Sequence, residues 1–159
     1  MLPIEEILMI ENLFITDFEN PCFTQAFKTY FSELGIRIKN WDKLWEEMNS
    51  DSNFAFIKVI DNRKALGFIQ CQIIKSQSWF FEEKCGFIRE FWVDKEHRNL
   101  GYGSELLSLA ENYFYENNIK RYILTTDTAE NFYIKNGYKK RTDIIAKNKM
   151  TVFAKEHLH

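Results

Sequence analysis

Glycine and proline are scarce in this chain, at six and two of 159 residues. Flexible linkers and low-complexity spacers draw heavily on those residues, so little is available to tether separate parts. Cysteine is sparse as well: Cys22, Cys71 and Cys85 are odd in number and widely spaced. With no CxxC pair, no HExxH and no His/Cys cluster, a zinc site or a thioredoxin-like motif finds no support, and no metal is expected. Free thiols in a reducing compartment are the simplest reading. Charge of one sign is lacking too, since 21 Lys and Arg face 23 Asp and Glu for a net charge of −2. A nucleic-acid binder draws on a basic excess or stripe. Nucleic acid is therefore not an expected partner, and the short run Lys139-Lys140-Arg141 reads as a solvated strand end. No apolar run approaches the roughly 20 residues that span a bilayer. Met1 to Phe14 carries Glu5, Glu6 and Glu11 and no basic residue, the wrong charge for a signal peptide. A cytoplasmic protein without membrane association is the expectation.

Aromatic residues, by contrast, are plentiful. They make up 16% of the chain, with 15 Phe, inside a hydrophobic share of 45%. Such a chain buries enough apolar surface to offset the entropy of ordering, and its length suits one domain over residues 1–159. Local signals then give the elements. Ile7 to Ile15 reads as a strand. Asn20-Pro21 opens a helix carrying Phe23, Ala26, Phe27, Tyr30, Phe31 and Leu34, with Gly35 as its stop. Asn40 caps a second helix bearing Trp41, Leu44, Trp45 and Met48. Strand patterns follow at Phe54–Ile60 and Leu66–Ile74, separated by a turn at Asp61-Asn62. A loop around Ser76 to Ser78 leads through Trp79 to Lys84 into a strand from Cys85 to Asp94. Gly103 to Asn117 is a helix, Arg121 to Thr126 a strand and Thr128 to Asn136 a helix. Tyr138 to Arg141 and Met150 to Ala154 close the chain as strands. This order predicts an α/β fold with a mixed sheet.

The segment between the central strand and the long helix carries the most information. It reads Val93-Asp94-Lys95-Glu96-His97-Arg98-Asn99-Leu100-Gly101-Tyr102-Gly103-Ser104. Gly101 and Gly103 let backbone approach a ligand closely and adopt positive φ. The helix behind them offers unpaired N–H groups and the positive end of its dipole, a combination suited to a pyrophosphate. Arg98 adds a positive charge. A Walker loop is absent, and Leu106 stands where Gly-x-Gly-x-x-Gly needs its third glycine, so nucleotide hydrolysis and dinucleotide binding lose support.

Arg98-x-x-Gly101-x-Gly103 resembles the Arg/Gln-x-x-Gly-x-Gly/Ala motif of the GNAT family of acetyl-CoA-dependent N-acetyltransferases. Ala129-Glu130-Asn131-Phe132-Tyr133-Ile134-Lys135-Asn136-Gly137-Tyr138 is similar to that family's Ala-x-x-Phe-Tyr-x-x-x-Gly-Phe segment. Ile88 to Val93 resembles its central strand. The motif likeness covers residues 86 to 138, roughly a third of the chain. It implies a single GNAT-like domain with a mostly antiparallel mixed sheet, flanking helices and splayed central strands. It implies that acetyl-CoA is held by Arg98, Asn99, Leu100, Gly101, Tyr102, Gly103 and Ser104. The acetyl-pantetheine arm would then pair with backbone of Phe91, Trp92 and Val93. Three positions depart from the family's usual residues: Lys95 replaces Pro, Asn99 replaces Gly and Thr126 replaces Asn. The first two are expected to change loop stiffness only, whereas the third removes a frequent cofactor contact.

Two side chains stand out as chemistry. Strand alternation places Phe87, Arg89, Phe91 and Val93 on one face and Ile88, Glu90 and Trp92 on the other, so Arg89 and Glu90 point oppositely and do not pair. A charge on an apolar face is costly unless paired or neutralised. Glu90 is thereby a candidate base for the ammonium form of an acceptor, with a structural ion pair as the plainer reading. Tyr133 has a phenol of ordinary pKa about 10, suited to protonating a departing thiolate. The resemblance gives it that role, against a place in the core beside Phe132. Glu82 and Glu83 read as a solvated hairpin, and Cys71 and Cys85 as core. The expected activity is acetyl transfer to a primary amine of a small molecule or protein, by direct attack in a ternary complex. The alternative is a non-catalytic acyl-CoA-binding module. The acceptor's identity and the oligomeric state, a homodimer included, stay open.

Overall fold

Polar caps and turn residues set the ends of most elements. In the computed structural model, which describes residues 8–77 and 80–157, β1 spans Ile10–Ile15 and α1 spans Pro21–Glu33. Asn20 Oδ1 accepts hydrogen bonds from the Cys22 and Phe23 N–H groups, and Pro21 takes the first helical position. The chain leaves α1 through Gly35 at φ +72°. Asn40 Oδ1 accepts from the Lys43 N–H at 3.1 Å to start α2, Trp41–Ser50. The β2 strand, Asn53–Ile60, turns through Asp61 and Asn62, both at positive φ, into β3, Lys64–Gln77. Next come β4, Glu82–Val93, a 3₁₀ turn at Lys95–His97 and α3, Tyr102–Glu116. The chain ends with β5 (Arg121–Thr126), α4 (Glu130–Lys135), β6 (Lys139–Arg141) and β7 (Thr151–Glu156).

The element order matches the expectation from sequence. The first strand starts at Ile10, and Ile7 lies outside the described residues. The β3–β4 connection is tighter than expected, because β3 runs on to Gln77 and β4 already begins at Glu82. Ser78 and Trp79 lie outside the described residues. Glu82 and Glu83 are exposed there, at the opposite end of β4 from Glu90, facing Lys75 and Arg121. Cys71 is fully buried and Cys85 half-buried.

Seven strands form one sheet in the order β1-β2-β3-β4-β5-β7-β6, antiparallel except between β4 and β5. Each face carries its own core. On one, α3 and α4 bury Leu106, Leu107, Phe114 and Tyr133 against Ile69, Ile88 and Leu124. On the other, α1 and α2 bury Phe23, Phe27, Trp45 and Met48 against Ile57, Phe68 and Trp92.

The centre of the sheet departs from regular pairing twice. Gln70 stands opposite Glu90 but Cys71 stands opposite Ile88, which leaves Arg89 as an extra, unpaired residue in β4. An inserted residue breaks the two-residue alternation. Ile88 therefore packs on the α3 face with Phe91 and Val93, while Trp92 packs on the α1 face. The expectation that Ile88, Glu90 and Trp92 share a face fails for Ile88, because strand period alone does not register a bulge. The second departure is that β4 and β5 pair only at Gly86–Tyr122 and Phe87–Ile123. From Ile88 onward the two strands part.

Gly86, at the last point of contact, has no room for a side chain. A Cβ there would stand 2.8 Å from the ring of Phe114, which is fully buried and stacked on Tyr122 with centroids 5.3 Å apart. Gly86→Ala is expected to destabilise the fold by about 1–3 kcal/mol through overpacking, read as a fall of several degrees in Tm by circular dichroism. An unchanged Tm would contradict the closeness of that contact.

Candidate active site

Beyond the parting of β4 and β5 lies a cavity of about 680 Å³, within the roughly 300–1,000 Å³ typical of small-molecule sites. Phe91, Trp92 and Val93 of β4 form one wall, Phe132 and Tyr133 of α4 another, and Gly101 to Ser104 the far end. Tyr30 and Glu33 of α1 complete it. The structure thus gathers Phe91, Trp92, Val93, Arg98, Asn99, Gly101, Tyr102, Gly103, Ser104 and Tyr133 around one space. Leu100 is 60% exposed and forms no part of the wall.

The glycine segment is held in shape by its neighbours. His97 Nδ1 lies 2.6 Å from Asp94 Oδ2. Asn99 adopts φ +64° and Gly101 φ +84°. Asn is among the side chains that tolerate this left-handed region, which accounts for Asn99 at a position where glycine is usual in the motif. Gly103 departs from the expectation of positive φ, since it lies inside α3. A Cβ added to it would stand 3.4 Å from the Phe132 ring, in ordinary contact, so the space between α3 and α4 there admits a methyl but crowds a larger side chain. Gly101 caps α3 with no side chain accepting from the first turn. The N–H groups that open the helix therefore have no helical partner, and the helix dipole adds to their pull on an anion.

Arg98 is less free than its position in the motif suggests. Its Nε donates to the Val93 carbonyl at 3.0 Å and one terminal nitrogen reaches Glu33 at 3.4 Å. Glu33 also accepts from Trp92 Nε1 at 3.1 Å, so one carboxylate ties α1 to the end of β4 and to the loop. Sequence reasoning missed Glu33, and it missed Lys58. The buried Lys58 ammonium pairs with Glu105 at 2.8 Å and sits 4.9 Å above the Tyr102 ring, fastening the first turn of α3 to β2. Thr126, in place of the family's Asn, accepts hydrogen bonds from the Thr128 and Ala129 N–H groups and so shapes the approach to α4.

Glu90 sits behind Tyr30. The Tyr30 hydroxyl donates to Glu90 Oε2 at 2.6 Å. Burial raises the Glu90 carboxyl above its ordinary value, while the Tyr30 hydrogen bond and the Arg89 charge act in the opposite sense. The Arg89 charge acts through space only, since no ion pair joins it to Glu90, whose hydrogen-bond partner is Tyr30. Tyr133 is buried with its ring 6.5 Å from that of Phe91. Burial pushes its phenol up, so it stays protonated near neutral pH. Its hydroxyl makes no hydrogen bond among the described residues. No group of three or more His, Cys, Asp or Glu able to hold a metal occurs among the described residues. None of their helices is long and apolar enough to cross a membrane.

A sequence model of the acetyltransferase (GNAT) family matches residues 12–138. The chain belongs to that family. It is an acetyl-CoA-dependent acetyltransferase, and the solved structures it resembles share the GNAT fold. A GNAT acetyltransferase from Staphylococcus aureus Mu50 aligns over 96% of this chain and 100% of that one, at 19% identity and TM-score 0.69. A predicted acetyltransferase from Clostridium acetobutylicum, solved with acetyl-CoA, aligns over 87% and 95%, at 14% identity and TM-score 0.70. An aminoglycoside acetyltransferase from an uncultured soil metagenomic sample, solved with sisomicin, aligns over 81% and 84%, at 17% identity and TM-score 0.63. No curated protein matches the sequence.

The raised Glu90 carboxyl has a consequence for stability. When a folded-state carboxyl pKa exceeds the unfolded value, ionising the group costs the fold stability. That cost is absent below the ordinary pKa, about 4.3 for Glu, and is complete above the raised one. Glu90→Gln is therefore expected to raise Tm at neutral pH, with the gain shrinking to nothing as pH falls below the ordinary carboxyl range. Thermal melts across pH check this. A variant less stable at neutral pH would mark Glu90 as a structural partner instead.

Proposed function

We propose that this acetyltransferase moves the acetyl group of acetyl-CoA onto a primary amine of a small molecule or protein, by direct attack in a ternary complex. The observation that carries the reading is the cleft where β4 leaves β5, with an uncapped α3 start at one end and Tyr133 and the Tyr30–Glu90 pair beside it. One fold neighbour is an aminoglycoside acetyltransferase, and aminoglycosides carry amines, which supports an amine acceptor here.

In this reading the residues divide the work along the cleft, within one domain. The backbone N–H groups of Gly101 to Ser104, with Asn99 and Leu100 leading into them, hold the pyrophosphate. Arg98 contributes charge from the edge. The β4 edge from Phe91 to Val93 offers backbone groups that β5 does not take up. There it can bind the extended arm as an added strand and present an N–H to the thioester oxygen as charge develops. The bound thioester supplies an activated acetyl group, with thiolate as the leaving group. Glu90 accepts the proton that the acceptor's nitrogen must shed, and burial makes it a stronger base than an exposed carboxylate. Tyr133, kept protonated by burial, delivers its proton to sulfur.

The test is release of CoA thiol from acetyl-CoA by the purified protein across a panel of amines, with the acetylated product weighed by mass spectrometry. Two variants probe the parts. Gly103→Leu should cut CoA affinity well over tenfold by calorimetry, with the fold retained by circular dichroism, because a side chain there crowds the gap toward Phe132. Unchanged affinity would remove the donor site from α3. Tyr133→Phe should lower kcat by about 10²–10⁴-fold, with CoA affinity little changed. Full activity would return Tyr133 to the core.

A further inference from the structure

The cavity wall includes Tyr30 but does not include Glu90. Between the two lies the shortest side-chain hydrogen bond that Glu90 makes, from the Tyr30 hydroxyl at 2.6 Å. We infer that Tyr30 is the group that touches the acceptor amine, and that it passes the amine's proton on to Glu90. The inference rests on the acetyl-transfer reading above and adds a catalytic residue to it.

The geometry makes a relay from two groups on different elements. Tyr30 is on α1, half-buried, with its ring packed edge-on against Phe68 at 5.8 Å. Its hydroxyl oxygen donates its single proton to Glu90, so its lone pairs remain to accept from a donor in the cavity. As the amine attacks, its N–H proton moves to the Tyr30 oxygen while the Tyr30 proton moves to Glu90 Oε2. The amine loses one proton, Glu90 gains one, and Tyr30 ends as it began. No free tyrosinate forms, which suits a phenol whose ionisation both burial and the neighbouring carboxylate disfavour. Other groups around Glu90 leave this route open. Arg89 adds positive charge from its own strand. Gln70 stands opposite on β3, uncharged, its side chain bonded to Asn53. Tyr133 on α4 lies within electrostatic reach of Tyr30, which sets proton acceptor and proton donor on one cavity. One turn on from Tyr30, Glu33 is engaged by Trp92 and Arg98.

The experiment measures kcat/KM against pH for wild type, Tyr30→Phe, Glu90→Gln and the double variant, using acetyl-CoA and an amine accepted in the panel. Acetyl-CoA affinity and Tm are recorded alongside. A relay predicts that each single variant loses about 10²–10⁴-fold at neutral pH, that each loses the acidic limb, and that the double variant is no worse than either single one. Affinity for acetyl-CoA should stay unchanged. If Tyr30→Phe keeps its rate and only moves the acidic limb to higher pH, Tyr30 merely stabilises the Glu90 carboxylate, and the inference is overturned while Glu90 remains the base. If the single losses multiply in the double variant, the two act independently and the relay fails. If Glu90→Gln leaves the profile untouched, the assignment of Glu90 itself falls and the relay falls with it. A single-turnover proton inventory on Tyr133→Phe, which removes the proton delivered to sulfur, reads the same point with Tyr30 and Glu90 intact. Two protons in flight bow the plot of rate against deuterium content, and a straight line contradicts the relay.

Discussion

Two central strands of one sheet run side by side for only two residue pairs, Gly86–Tyr122 and Phe87–Ile123, before they separate. Most features of the site follow from that short contact. Backbone groups that a continuous sheet would satisfy are left along β4, and buried polar groups without partners are costly. A cleft of this kind persists only if the surrounding packing over-determines it. Here α3 and α4 pack Leu106, Phe114 and Tyr133 on one side of the split, and α1 and α2 pack Phe27 and Trp45 on the other. Gly86 lets Phe114 press against the last paired residues. The bulge at Arg89 then re-aims the strand, sending Ile88 to one core and Glu90 toward α1.

Much of this architecture was legible in the sequence because its signals are local. Asn20-Pro21, Asn40 and Gly35 mark helix ends by hydrogen bonding and φ preference within a few residues. The Arg98 to Ser104 segment announces a strand-to-helix turn by the same short-range logic. What escaped depends on contacts far apart in the chain. Tyr30 looked like one more aromatic on a helical stripe, and only the fold brings it to Glu90, 60 positions away. Glu33 meets Trp92 across 59 positions. The bulge left no trace in the hydrophobic pattern, since Ile88, Phe91 and Trp92 are apolar on either face. Thr126 stands where the resemblance expects an Asn, and only the fold reveals that its hydroxyl is engaged with the backbone entering α4.

Burial sets the chemistry available. It raises the Glu90 carboxyl and keeps the Tyr30 and Tyr133 phenols protonated, so two neutral phenols line the cavity and a carboxyl of raised pKa stands behind one of them. Such an arrangement carries a stability cost that a catalytic site commonly bears. The fold supports it with fastenings in and around the cavity wall. Lys58 and Glu105 hold the first turn of α3, and Glu33 links α1 to Trp92 and Arg98.

The central claim is that the parted edge of β4 and the uncapped start of α3 together receive the acetyl donor. Hydrogen exchange resolved to single amides, with and without acetyl-CoA, tests it most directly. The account predicts slowed exchange at the cleft-facing amides between Phe91 and Val93 and at Tyr102 to Ser104, with the amides of α2 unaffected. Protection confined to other segments, or none at saturating acetyl-CoA, would contradict it.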